Sequence, residues 1–543
     1  MVFARRSTTL LAAIIASCAM VLSLTACTSD NKTVVDGQTT VTSNSAGGVA
    51  VFTPSDGITL NQQTPLNKWA KLVPDLAKAL ADAGFKKGDI DHTTSDSLAK
   101  QSRAIQDFVV DHLSNNTTDD SGIAIAPDNM TLLVAPVVEA DASTRQYGDY
   151  ISQNLSTNDV TDEGATSDGD SSEDSSSKDD SSNTESDSTA SDEQAQAVDR
   201  LVSSLKLAKE SGMHVVLLGN SIEGYRPDAF VKFSDAQTIG KLQAEKMVSK
   251  LKLDKASKDN PKYIEVLLPY TAMDEKGNAN DSTFAQEAFR GIWQVLGSYY
   301  QKGVVESPSG TLDGKSTEND WQAVAYDAAK EGSTAKVLDK RLAKTDGQST
   351  LTRIDGIITM NDYIASEVVK ELDDLGYTGS AADINPQITI SGIVGNITGK
   401  KDLSRDAVPD PIKSPENDNA NDSSSSDDDA DEDTSASDKD RDSQWPLVTG
   451  YGAYVSNIPS IVNGKQWMTG MEDRQTIATD IAQACAKLNK DEALNSMPSI
   501  RNSEVGGVKK IPTISEPLLA VSASNLKSAL IDPGYISLAD AGL

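Results

Sequence analysis

The chain has 543 residues, enough for two or three domains with sizeable cores, and its 81 Asp and Glu against 49 Lys and Arg give a formal net charge of −32. Binding a phosphate backbone needs clustered Lys and Arg that displace counterions, so nucleic acid is excluded as a partner. Much of the negative charge sits in two low-complexity runs, so the total says little about any ligand of the remaining chain.

Taken from the amino end, Arg5 and Arg6 form a basic region, residues 10–24 an apolar one, and Leu24-Thr25-Ala26-Cys27 has the small-residue pattern of a lipobox. The expectation is a secretory signal peptide over residues 1–27, lipidation of Cys27, and a protein held on the extracytoplasmic face of the cell membrane. An ordinary signal peptide with an incidental Cys27 is one alternative. An uncleaved anchor is another, disfavoured because the apolar run is short for a span. The Arg pair lacks the following hydrophobic residues of a twin-arginine signal, which favours the general secretory route. Residues 28–48 are small and polar, as a flexible tether would be. Of three cysteines, Cys18 would leave with the leader and Cys27 would carry lipid. Cys485 alone would remain, in a segment of helical period that makes it a small core residue rather than a reactive thiol.

Residues 158–196 and 414–443 are dense in Ser, Asp and Glu and lack an apolar period, so both are expected as disordered acidic insertions. Calcium binding would need the alternating ligands, central Gly and closing Glu of an EF-hand, and neither run has that register. The remainder alternates short apolar strands with amphipathic helices. Strands are predicted at 49–52, 130–137, 213–218, 263–268, 354–359, 387–391 and 447–450, and helices at 69–83, 198–210, 284–299, 320–343, 364–375 and 474–488. Such alternation implies an α/β fold with parallel sheets covered by helices on both faces. An open sheet of this kind takes its ligand outside the carboxyl ends of its strands, so the loops after the strands are the places to look.

Enzyme chemistry finds no foothold. His92, His112 and His214 form no metal or triad spacing, and the sequence has no P-loop, no G-x-S-x-G elbow and no G-x-G-x-x-G. Carboxylates are so numerous that a glycosidase pair cannot be told from composition. No cofactor is implied.

Four stretches carry a resemblance. They are the run from Asp228 to Asp235 followed by Ile239-Gly240-Lys241-Leu242-Gln243-Ala244; the run from Arg353 to Asp362, ending in Asn361-Asp362; Val448-Thr449-Gly450-Tyr451-Gly452-Ala453 followed by the run from Ile461 to Thr469; and the run from Glu516 to Val521 with residues 525–537. In this order they resemble the type I periplasmic binding proteins, and among them the xylose- and multiple-sugar-binding components of ABC importers.

The resemblance implies two lobes, each a parallel sheet flanked by helices, joined by three crossings and closing on a ligand by hinge motion. On that pattern residues 49–233 would form the first lobe and 234–467 the second. Residues 468–518 would return to the first lobe, and 519–543 would form the closing crossing. The partners implied are a small ligand of the sugar class and a membrane ABC permease. Carried over residue by residue, Trp69 matches an aromatic position near the first strand, Trp321 matches a stacking Trp in the second lobe, and Asn361 and Asp362 match a polar pair at a strand end. The sequence departs from the pattern at Tyr451-Gly452, where a Gln-Asp is common, and at Gly219-Asn220-Ser221, where Asp-Arg is common. The acidic residue usual one turn after Trp69 is missing, and the segment 387–396 has no counterpart. Asn220 and Asn280, in loops after strands, are the candidate replacements. The plain structural alternatives are a half-buried core Trp for Trp69 and Trp321 and a helix cap for Asn361. A surface lipoprotein that keeps the fold for interaction or sensing is the alternative function, and a cell-wall hydrolase a more distant one.

Overall fold

A computed structural model describes residues 46–55, 65–115, 125–138, 144–151, 153–156, 185–273, 279–343, 351–382 and 444–543. Cys27 and the residues predicted as a leader, the strand predicted at 387–391 and the acidic run 414–443 lie outside the described residues.

The first lobe starts with β1 (Gly48–Pro54), whose residues from Gly48 to Thr53 are all buried, as expected of a central parallel strand covered on both faces. α1 (Trp69–Asp82) follows and buries Trp69, Leu72, Leu76 and Leu80, a stripe at helical spacing. Then come β2 (Ile90–Ser95), α2 (Leu98–Asn115), β3 (Met130–Val134), the short β4 (Asn154–Leu155), α3 (Glu185–Glu210), β5 (His214–Leu218), the short β6 (Ser221–Ile222) and β7 (Ala229–Lys232). α3 begins at Glu185, inside the stretch expected to be loop up to residue 196. Its packed part, with Ala197, Val198, Leu201 and Leu205 buried, is a nucleus from which the Ala- and Gln-containing stretch before it propagates at little cost.

The second lobe opens with α4 (Ala236–Leu251), capped by Asp235, which accepts the Thr238 N–H at 2.7 Å. It continues through β8 (Lys262–Val266), β9 (Leu268–Pro269), α5 (Thr283–Gln301), β10 (Val305–Glu306), α6 (Trp321–Val324), β11 (Ala325–Tyr326), α7 (Ser333–Arg341), β12 (Gly356–Ile358), α8 (Asp362–Leu375), β13 (Leu447–Tyr451), α9 (Ile458–Val462) and β14 (Met468–Met471). The helix predicted over 320–343 is therefore two. Ala325 turns extended so that Ala325 and Tyr326 can pair with Leu268 and Pro269, and α7 restarts after Gly332 at φ +69°. α4 and α5 touch backbone to backbone: a Cβ on Gly240 would lie 2.2 Å from the Ala288 carbonyl oxygen, and one on Gly291 2.0 Å from that of Gln237.

α10 (Arg474–Leu488) then packs on α1, and β15 (Ile500–Val505) and β16 (Val508–Ser515) form a hairpin before β17 (Leu519–Ser522). One sheet runs β15-β16-β7-β5-β3-β1-β2, parallel except for the β15–β16 hairpin; the other runs β10-β8-β12-β13-β14-β17, parallel except for β17. Each sheet contains the five-strand order second-first-third-fourth-fifth of a doubly wound fold, with its switch point between β1 and β3 in one lobe and β8 and β12 in the other. Among the described residues the chain passes from one sheet to the other after β7, after β14 and after β16. Met468–Met471 pairs within the second sheet, so the return to the first lobe follows these residues rather than starting at 468. Separate buried clusters line the two faces of each sheet, and a fifth sits beneath the carboxy-terminal residues around Leu526 and Leu530. Cys485 is a fully buried member of the cluster between α10 and α1, where burial pushes its thiol well up.

Candidate functional site between the lobes

The carboxyl ends of the two sheets face each other. Leu66, in the loop after β1, donates its N–H to the Gly452 carbonyl just past β13, at 2.9 Å. Asn361, three residues past β12, donates from Nδ2 to Oε1 of Gln146, in the segment after β3, at 3.1 Å. Tyr454 OH donates to the Gln146 carbonyl at 2.6 Å.

A carboxylate fastens the connections together. Glu472, in the passage after β14, is 1 % exposed and accepts at Oε1 the Ser234 N–H, in the passage after β7, at 2.6 Å. The Ser234 hydroxyl donates to the same oxygen, and the buried Tyr451 OH lies 3.1 Å from that hydroxyl. Glu472 also donates its N–H to Asn67 Oδ1, at 3.4 Å. Burial pushes the Glu472 carboxyl up to about 7, because its few donors do not replace the lost hydration.

On the second lobe, Asn361 is the helix cap that was the plain alternative for it, and it also bonds across to the first lobe. Its Oδ1 caps α8 by accepting the Ile364 N–H at 2.9 Å, and its Nδ2 points across to the first lobe. Asp362 faces the other way. It is fully buried and accepts from Gln466 Nε2 at 2.7 Å, Thr469 Oγ1 at 2.8 Å and Tyr454 N at 2.9 Å. Burial pushes its carboxyl up to about 6. It organises the strand ends and presents no free oxygen toward the space between the lobes. Trp321 opens α6, its ring edge-on to Tyr270 with centroids 5.1 Å apart, and shares a cluster with Tyr147 of the first lobe. Arg341 steadies that short helix by donating to the Val324 carbonyl at 2.9 Å and the Val266 carbonyl at 2.5 Å. Asn280 closes a turn beside the pair, with Nδ2 on the Thr271 carbonyl at 2.8 Å and its own carbonyl accepting from Tyr270 OH at 3.1 Å. It therefore holds Tyr270, and through it Trp321.

On the first lobe, Trp69 is 2 % exposed, enclosed by Tyr150 at 5.0 Å and Phe233 at 5.7 Å, both edge-to-face. It packs against the protein's own rings. Asn220 is buried and spans two loops: Oδ1 accepts the Gln153 N–H at 2.9 Å, and Nδ2 donates to the Pro136 carbonyl at 2.9 Å. Asn67, beside them, is 2 % exposed, and its Nδ2 has no hydrogen-bond partner among the described residues.

Asn67, Gln146, Tyr147, Tyr454 and Glu472 were not singled out from the sequence. The residues after β3 carry no strong apolar period, and their role is created by contacts across more than two hundred positions, such as 361 with 146. Among the described residues no group of three His, Cys, Asp or Glu could hold a metal ion.

No protein-family model matches the chain, and no curated protein matches it. Solved structures do. An ABC transporter solute-binding protein from Clostridium phytofermentans with bound β-D-glucose is 16% identical, covers 91% of this chain and 99% of its own, and has a TM-score of 0.44. A carbohydrate transporter solute-binding protein from Chloroflexus aurantiacus in complex with D-glucose is 18% identical over 92% of this chain and 98% of its own, with a TM-score of 0.43. A periplasmic solute-binding protein from Actinobacillus succinogenes with bound D-allose is 10% identical over 89% and 99%, with a TM-score of 0.38.

Proposed function

We propose that this chain is an extracytoplasmic solute-binding protein that captures a small ligand of the sugar class between its lobes and presents it to an ABC permease, tethered to the membrane by lipid on Cys27. The observation that carries this reading is the opposition of the carboxyl ends of two sheets of the same strand order. What lies between suits a sugar. The Trp321–Tyr270 pair is the aromatic surface that would pack on an apolar sugar face, and Asn361 and Asn67 carry the amides that would meet hydroxyl groups. Asn67 Nδ2 has particular weight, since a buried donor left unpaired costs about 1–3 kcal/mol that a ligand oxygen would relieve. Shared connections let a ligand that touches both lobes fix their relative position, which a permease can read.

A thermal-shift screen of the full chain against monosaccharides, short oligosaccharides and nucleosides tests this. A ligand at a hundredfold excess over its dissociation constant adds about 2.7 kcal/mol of stability. The expected result is a rise with one sugar class that Trp321→Ala and Asn67→Ala abolish. A shift with nucleosides alone would replace the ligand class, and no shift at all would move the function to an interaction or sensory module.

A further inference from the structure

The space between the lobes already holds a piece of this chain. Residues 144–151 and 153–156, which follow β3, are rooted in the first lobe at several points. The Asp149 carboxylate meets Lys68 Nζ at 2.6 Å and the Trp69 N–H at 3.1 Å, and the Asp149 N–H donates to the Asn67 carbonyl at 2.8 Å. Tyr150 stacks on Phe233 at 4.7 Å, and β4 pairs with β6. Gly148, at φ +98°, lies so close to Asn67 that an added Cβ would come within 2.5 Å of its carbonyl oxygen. The tip of this strap belongs to the other lobe. Tyr147 is 1 % exposed, 4.7 Å from Phe284 and 6.2 Å from Tyr451, and it is part of the second lobe's core cluster together with Ile151. Gln146 takes the Asn361 amide at its side chain and the Tyr454 hydroxyl at its carbonyl.

An aromatic contact plus two accepted hydrogen bonds is the chemistry a sugar would use on the same wall. We propose that Gln146–Tyr147 is a built-in latch, a resident occupant that holds the lobes together without ligand and that an incoming ligand must displace. This rests on the interlobe space being the ligand site, but its central claim is about the ligand-free protein. The consequence is a binding protein whose resting state is closed, and whose apparent dissociation constant is the intrinsic one divided by the fraction in which the tip has withdrawn.

The test is small-angle scattering from the full chain, without ligand, for the wild type, Tyr147→Ala and Tyr454→Phe. All three carry the same remaining segments, so differences report the lobes. Tyr454→Phe removes only the hydroxyl that reaches Gln146 and keeps the ring, which guards against a Tyr147→Ala chain that fails to fold. The expected result is a compact wild type, a larger radius of gyration in both variants, and a closed-to-open ratio lowered roughly fivefold in Tyr454→Phe, the worth of one neutral hydrogen bond. A wild type as open as its variants, or variants as compact as the wild type, would overturn the latch. Either outcome is reached without adding a sugar, so a failed sugar screen and a failed latch are separate results. Where a sugar binds, Tyr454→Phe should bind it several-fold tighter, and weaker binding would count against displacement.

Discussion

Replacing Glu472 by Gln should change how stability depends on pH, and the size of the change follows from where the carboxyl sits. In the unfolded chain it titrates near 4.5; in the fold, burial between the first and second connections pushes it up to about 7. Below the lower value both states carry the proton and the group contributes no penalty. Above the higher value the folded protein must hold a buried anion. The stability present in acid is therefore lost as pH rises through this window, at about 1.4 kcal/mol per unit and to a total of about 3 kcal/mol. Glu472→Gln keeps the shape and the oxygen that accepts from Ser234 but has no proton to lose. Denaturant unfolding of both proteins at steps from about pH 4 to pH 8 should show the variant gaining on the wild type by about that amount, with the other titrating groups cancelling in the difference. A flat difference would show that Glu472 ionises as easily inside the fold as outside, and would sink the argument that its burial dominates.

Two further substitutions test the packing that supports the site. Asp362→Ala removes the acceptor of the Tyr454 N–H, Gln466 Nε2 and Thr469 Oγ1, and at least the first two lose a buried partner. At about 1–3 kcal/mol each, the loss should be about 3–5 kcal/mol by urea unfolding, and a loss below about 1 kcal/mol would show that water reaches these groups. Gly240→Ala places a methyl group 2.2 Å from the Ala288 carbonyl oxygen, so α4 and α5 must part. Calorimetry should record a lower Tm, corresponding to about 1–3 kcal/mol, and an unchanged Tm would mean the helices can slide at no cost.

Part of this molecule is written in short-range pattern. α10 lies where the helical period puts it, at Arg474–Leu488, and α8 and β13 are within two residues of their predicted bounds. Asn361 was legible because a cap and a strand end share a local signature. The single helix expected over 320–343 shows the limit of that logic. Nothing local marks Ala325 and Tyr326 as extended, and they become so because β9 supplies a partner from nearly sixty residues earlier. Asp362 and Trp69 show the converse, since their residue types suit a ligand site but their neighbours consume them.

The sequence by itself determined the α/β alternation and the strands that must be buried on both faces. These follow from composition and period, which act over one or two turns of chain. The tertiary structure alone decided which amides face across the lobes, that Glu472 and Ser234 join two connections 238 positions apart, and that Gln146 and Tyr147 fill the space between. Such roles arise from desolvation and hydrogen-bond geometry between distant segments, and neither exists until the two sheets are brought face to face.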